Sequence, residues 1–163
     1  MFLGDIPEGT RVFIDANIFL NVALEDAHAD TCKDFLKKVH EGKVGGFVSL
    51  VVLDEILFKL LQSEISSKFK VPLREVVGYA KRNPKCMTQL AKCWEAMENI
   101  LSMNITVLDM PKELKSVISN CRKYALLTRD SLHVTVMEQD DIKDIATSNS
   151  DFERVDFLKV WKP

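Results

Sequence analysis

A three-residue apolar run, Val12-Phe13-Ile14, stops abruptly at a carboxylate, Asp15, and after Ala16-Asn17 the apolar pattern resumes as Ile18-Phe19-Leu20. This switch constrains the fold more than any other stretch. The run predicts a buried strand over about 11–15, and the stretch after it predicts a helix over about 17–25. An acid at the carboxyl end of a buried first strand lies where open α/β sheets place their ligand sites. A strand covered on both faces seldom ends on a charge for packing reasons, so Asp15 calls for a functional account.

The rest of the chain repeats the alternation. A helix is predicted over about 28–41, with Cys32, Phe35, Leu36 and Val39 on one face. Gly42, Gly45 and Gly46 end it and lead to an extended piece at Phe47-Val48. Ser49 is the expected N-cap of a buried helix that stays apolar on nearly every side through Leu61. Its only charges are Asp54, Glu55 and Lys59. Glu55 lies roughly opposite the strongest apolar side (Leu53, Ile56, Leu57, Leu60), which predicts a rim or a cleft. The segment from about 64 to 103 carries Pro72 and Pro84 and reads as a helical insertion or hairpin, with helices at about 73–82 and 87–102. Ile105–Leu108 is the next expected strand. Pro111 is expected at the first position of a helix with Leu114, Val117, Ile118 and Cys121 inward. Asp130 should head a buried helix, Ile145–Thr147 should form a short strand, and Leu158–Trp161 the last one. Strands alternating with helices imply an α/β fold with a mostly parallel sheet covered on both faces.

At 163 residues the expectation is one domain, 1–163, large enough for a real core. A net charge of −2 gives no global basic signal for a plain electrostatic nucleic-acid binder. Cys32, Cys86, Cys93 and Cys121 form no Cys-x-x-Cys pair, so zinc and thioredoxin-like chemistry have no support, and buried or idle thiols in a reducing cytoplasm are expected. No apolar run is long enough to span a membrane, and the N-terminus has an early acid and no basic leader, so neither a membrane span nor a signal peptide is expected. Both the Gly-x-Gly-x-x-Gly and the Walker glycine patterns are missing, which leaves a nucleotide cofactor unsupported.

Four acids fall at element boundaries: Asp15 after a strand, Glu55 early in a helix, Asp130 at a helix start, and Asp151, with Asn149, after a late strand. In a parallel sheet these places can share one edge. Carboxylates gathered without basic partners repel one another, and a divalent cation removes that cost. Oxygen ligands suit magnesium or manganese, which acidify water and stabilise an in-line phosphoryl displacement. Each acid also has a plainer reading. Asp130 can cap its helix, Glu55 can pair with Lys59 one turn on, and Asp151 can be a turn residue. His133 reads as a satisfied core histidine rather than a ligand. Arg129 and Lys59 are basic residues near these acids and are equally at home as solvated charges.

Phe13-Ile14-Asp15-Ala16-Asn17, Val-Leu-Asp-Glu55-Ile-Leu, Thr128-Arg-Asp130-Ser-Leu-His133 and Ala-Thr147-Ser-Asn149-Ser-Asp151-Phe152, in that order, closely resemble the PIN-domain family, in particular the compact prokaryotic VapC-type proteins. The resemblance runs from Val12 to Trp161. It implies a Rossmann-like three-layer α/β/α sandwich on a short, five-stranded sheet and a magnesium- or manganese-dependent endoribonuclease that cleaves RNA phosphodiesters without a covalent protein intermediate. Frequent homodimers and, for toxins, an inhibitory antitoxin are implied as well. Asp15, Glu55 and Asp130 match the first three family acids. The last family motif usually reads Thr-x-Asp-x-Asp-Phe and this chain has Asn149 at the first of those aspartates, so Asp151 becomes the fourth acid and the Asn149 amide oxygen an uncharged metal ligand. Asn17 and Thr147 match positions that orient carboxylates and water. The asparagine keeps a second reading open, a weakened PIN-like module that binds RNA or a protein partner. A phosphatase of the haloacid-dehalogenase type would need an aspartate at position 17.

Overall fold

The computed structural model describes residues 1–163. Five parallel strands form one sheet in the order β3-β2-β1-β4-β5: β1 Arg11–Ile14, β2 Gly45–Ser49, β3 Ile105–Leu108, β4 Asp144–Ala146 and β5 Lys159–Trp161. β1 is central. It pairs with β2 through Phe13 opposite Phe47 and with β4 through Phe13 opposite Ile145. Val12, Phe13 and Ile14 are fully buried, which is why this strand reads as an unbroken apolar run rather than an alternation.

Seven α-helices cover the sheet: α1 Ala16–Ala23, α2 Ala29–His40, α3 Leu50–Phe69, α4 Val76–Arg82, α5 Lys92–Leu101, α6 Leu114–Tyr124 and α7 Thr128–Gln139. α1 packs on α2 and α3, and α3 on α5, whereas α6 packs on α7. Alternate residues of the sheet face these two groups. Ile14 and Gly46 lie against Val39 of α2, while the Phe13 ring meets the His133 ring of α7 at 5.4 Å. The result is the three-layer α/β/α arrangement. The chain turns back at β1, with β2 on one side and β4 on the other, so the crevice between the carboxyl ends of β1 and β4 is a topological switch point. No helix is long and apolar enough to cross a membrane.

Several boundaries differ from the expectation. Ser49 does cap α3, accepting the Val52 N–H, but the helix runs on to Phe69. It is also not buried all round, since Leu50 and Phe58 are exposed. The presumed helix at 87–102 begins only at Lys92, preceded by a 3-10 turn over Pro84–Gln89. Pro111 precedes α6 without opening it; the N-cap is Glu113. The inward face of α6 is rotated from the expected one. Leu114 and Ile118 are exposed, and Val117, Asn120 and Tyr124 are buried. The cause is polar packing: Asn120 donates to Thr135 Oγ1 at 3.1 Å and to Glu138 Oε2 at 2.8 Å, and Tyr124 donates to Asp156 at 3.0 Å. An apolar count cannot see such bonds. All four cysteines are free thiols.

Within 64–103 one acid does the fastening. Glu64, on α3, accepts the Ala91 N–H at 2.9 Å and the Cys93 N–H at 2.8 Å, capping α5 from a neighbouring helix. Partial burial alone would raise its pKa. The backbone N–H groups of Ala91, Cys93 and Lys92 outweigh that and bring it down to about 2. The folded pKa lies below the ordinary 4.5, so this stabilisation is present above that value and is lost as pH falls toward about 2. Glu64→Gln should therefore cost about 1 kcal/mol near neutral pH, and urea titrations should find the difference from wild type shrinking as pH drops from 5 to 3. A difference independent of pH would refute the cap. Gly46 marks a close approach of β2 to α2: a Cβ there would stand 2.5 Å from Val39 Cγ1 and 3.1 Å from Ile14 Cδ1. Gly46→Ala should cost about 1–3 kcal/mol in the same titration.

Candidate metal centre at the switch point

Asp15 follows β1 directly and is the N-cap of α1, its Oδ1 accepting the Ala16 N–H at 2.7 Å. The same residue ends the strand, starts the helix and presents an acid to the crevice. Its Oδ2 accepts from the Thr147 hydroxyl at 2.6 Å and from Asn17 Nδ2 at 2.5 Å. Thr147 follows β4. Its hydroxyl donates to Asp15 and accepts from Asn17 Nδ2 at 3.1 Å and from the Asn149 N–H at 2.9 Å, which uses its one donor and both lone pairs. Asn17 Oδ1 in turn accepts the Ser148 N–H at 3.0 Å. These bonds lock the carboxylate in one orientation and join the two strand ends that flank the crevice.

The other acids arrive from separate elements. Asp130 is in the first turn of α7, which starts at Thr128, with Leu127 at the N-cap and no side-chain cap. Asp130 therefore does not cap the helix, and its carboxylate is half-buried toward the crevice. Burial raises its pKa first, and the charges of Asp15, Asp151 and Glu55 raise it further. Four acids from four places in the chain thus share one electrostatic environment. Burial also raises the pKa of Asp15, against the hydrogen bonds from Thr147, Ala16 and Asn17.

Glu55 lies on α3 and pairs with Arg129 at 3.3 Å rather than with Lys59. Asp151 lies in a 3-10 turn, Ser150–Arg154, and pairs with Arg154 at 2.7 Å. Each acid turns partly to its own arginine, and as the side chains stand no three His, Cys, Asp or Glu groups close around a single point. The sequence reading noted Arg129 but missed Arg154; its position three residues after Asp151 was the available signal. Asn149 caps the same 3-10 turn, its Oδ1 accepting the Asp151 N–H at 2.9 Å. That bond directs its NH2 away from the cap, and the side chain lowers the pKa of Asp130 without the geometry of a full hydrogen bond. An aspartate in its place would add repulsion where the amide gives attraction. His133 is buried and neutral, its pKa brought down to about 4, chiefly by burial. Contrary to the expectation of a satisfied core histidine, its Nδ1 has no partner.

The donor set fits a hard divalent cation. It offers only oxygens, its central buried carboxylate has a fixed orientation, and the repulsion on Asp130 is the kind such an ion removes. Asp15, Glu55, Asp130 and Asp151 are the residues that would hold it, with Asn149 at the margin.

A raised folded-state pKa has a definite consequence. Asp130 binds its proton more tightly folded than unfolded, so its stability contribution is fully present below its ordinary value of 3.8 and is lost as pH rises through the folded value. Near pH 7 in EDTA, Asp130→Asn should raise the melting temperature by about 2–4 °C. At pH 3.5 the gain should vanish. An unchanged or lower melting temperature at pH 7 would show that the crowding is not felt.

Residues 12–158 match the model of the PIN domain. The chain is 24% identical over 154 residues to Ribonuclease VapC2 of Methanocaldococcus jannaschii, covering 94% of each. Among solved structures it resembles the VapBC2 complex of Rickettsia felis bound to a promoter DNA fragment (TM-score 0.62, 13% identity, 94% of this chain and 98% of that one). It also resembles a toxin–antitoxin complex from Klebsiella pneumoniae (TM-score 0.54, 11% identity, 91% and 95%). At these identities the solved structures speak to fold alone. With the family match spanning nearly the whole chain, this protein belongs to the PIN domain family.

Proposed function

We propose that this protein is a metal-dependent endoribonuclease that hydrolyses RNA phosphodiester bonds and serves as the toxin of a toxin–antitoxin pair. The observation that carries the reading is the buried Asp15 carboxylate held by Thr147 and Asn17 where the ends of β1 and β4 meet, with Asp130, Asp151 and Glu55 close enough for their charges to be felt together at Asp130. Such crowding costs stability and has no packing benefit, and it marks the place where a cation would act. Similarity over 94% of the chain to a protein named Ribonuclease VapC2 supports RNA as the substrate class, and an antitoxin partner is in keeping with a fold shared with a toxin–antitoxin complex.

In this reading Asp15, Glu55, Asp130 and Asp151 are the catalytic acids and, with Asn149, the ligands of magnesium or manganese. A bound divalent ion would supply positive charge against the phosphodiester and make water more acidic. Thr147 and Asn17 favour the carboxylate form of Asp15 against its burial and keep it correctly turned, since each donates to the same carboxylate oxygen. Water is the attacking group, so the chain needs no nucleophile of its own. An antitoxin as partner, a homodimer, a cytoplasmic location and a single domain with 64–103 as a helical insertion belong to the same proposal. A second reading, a weakened module that binds RNA or protein, draws on Asn149 and on the pairing of Glu55 and Asp151 with arginines.

Cleavage separates the two. Purified protein with manganese should cut single-stranded RNA. Asp15→Asn should reduce the rate by at least about a hundredfold, and Thr147→Val by about 10–100-fold. Calorimetry should register manganese binding to wild type and much less to Asp15→Asn. No heat of binding and no cleavage with either ion would sink the enzyme and leave the binding module.

A further inference from the structure

The two arginines beside the acids are held differently. Arg154 is anchored twice, Nη1 donating to the Ala125 carbonyl at 2.8 Å and Nη2 meeting Asp151 Oδ1 at 2.7 Å. Those contacts join the 3-10 turn to the end of α6, so Arg154 is part of the scaffold. Arg129 has one contact, Nη1 to Glu55 Oε2 at 3.3 Å, which is long for a charge-assisted bond. Its side chain is 56% exposed, twice the 27% of Glu55. It precedes Asp130 at the start of α7 while Glu55 belongs to α3, so the pair bridges the mouth of the crevice from opposite layers.

We propose that Arg129 is an exchangeable counter-ion: it pairs with Glu55 when no divalent ion is bound, and passes to the RNA backbone when an ion takes Glu55, coupling metal binding to RNA binding. This rests on the ribonuclease reading above. Three properties support it. The pair is single, long and exposed, so it is weak and breaks at little cost. A freed guanidinium keeps its planar fork, which suits a phosphate. The first turn of α7 places that fork beside the acids, where a phosphodiester under attack must lie. Coupling of this kind is reciprocal, so RNA should tighten metal binding by the factor by which metal tightens RNA binding.

The test uses the full chain, manganese, and a single-stranded 2′-O-methyl oligonucleotide that cannot be cleaved. Manganese affinity is measured by calorimetry and oligonucleotide binding by fluorescence anisotropy across a salt series. Arg129→Gln should bind manganese about two- to fivefold more tightly than wild type, because Glu55 no longer leaves a partner. In wild type, manganese should steepen the salt dependence of oligonucleotide binding by about 0.7, the slope for one added phosphate contact on a single strand. In Arg129→Gln that increment should be lost. Arg129→Lys should restore the increment. Lys59→Gln, an exposed unpaired charge one turn from Glu55 on α3, should alter neither quantity.

Wild-type manganese affinity in Arg129→Gln, or an equal gain in Lys59→Gln, overturns the proposal, since the effect would then be absent or merely one of net charge. An unaltered salt increment in Arg129→Gln overturns it too. If these failures occur while wild type binds manganese and cuts RNA, only the counter-ion role falls. If wild type takes up no manganese and cuts nothing, the ribonuclease reading falls with it.

Discussion

The Asp15 carboxylate is the point on which the architecture and the site both depend. It is 8% exposed, and an unpaired anion at that depth would be costly. The Thr147 hydroxyl, the Asn17 amide and the Ala16 N–H make its burial tolerable. Two of these donors lie on the β1 side of the switch point and one on the β4 side, so the bonds that satisfy the charge also join the two central strand ends. The backbone repeats the link, the Asp15 N–H donating to the Ala146 carbonyl at 3.0 Å. Thr147 has no spare hydrogen-bonding capacity. Any movement of one strand end relative to the other would leave a buried polar group without a partner.

Charge is distributed around that anchor by rank. The deepest acid is held by neutral donors, the half-buried Asp130 bears the repulsion of the other three, and the more exposed Glu55 and Asp151 have arginines. Electrostatic strain is thus concentrated where a cation would relieve it most. Asn149 moderates the strain at one corner. Its carbonyl caps the turn that presents Asp151, and its side chain lowers the pKa of Asp130. A carboxylate there could keep the cap but would intensify the crowding.

Legibility followed the range of the interactions. β1, the Ser49 cap and the spacing of Cys32, Phe35, Leu36 and Val39 depend on neighbours within a few residues, and these were readable. The inward face of α6 was not, because Asn120 and Tyr124 are buried through bonds to Thr135, Glu138 and Asp156, at distances in the chain that no helical period reflects. Glu64 was passed over for the same reason: a solvated-looking acid on a helix becomes a cap only when α5 is brought against it. Lys59 was the plain partner expected for Glu55, and Arg129 was noted only as a base near the acids. The helical spacing favoured Lys59, and the packing of α3 across from α7 selected Arg129.

The sequence by itself determined that a buried strand ends on an acid, that further acids stand at element boundaries, and that strands alternate with helices in the manner of a parallel α/β sheet. Periodicity and turn chemistry are local, and they suffice for those statements. Only the tertiary structure decided which acids are neutralised by which arginines, where the repulsion accumulates, and that Asn149 caps Asp151 while easing Asp130. Coulomb energy and hydrogen-bond geometry depend on separations in space, and those separations are set by the strand order that brings the ends of β1 and β4 together.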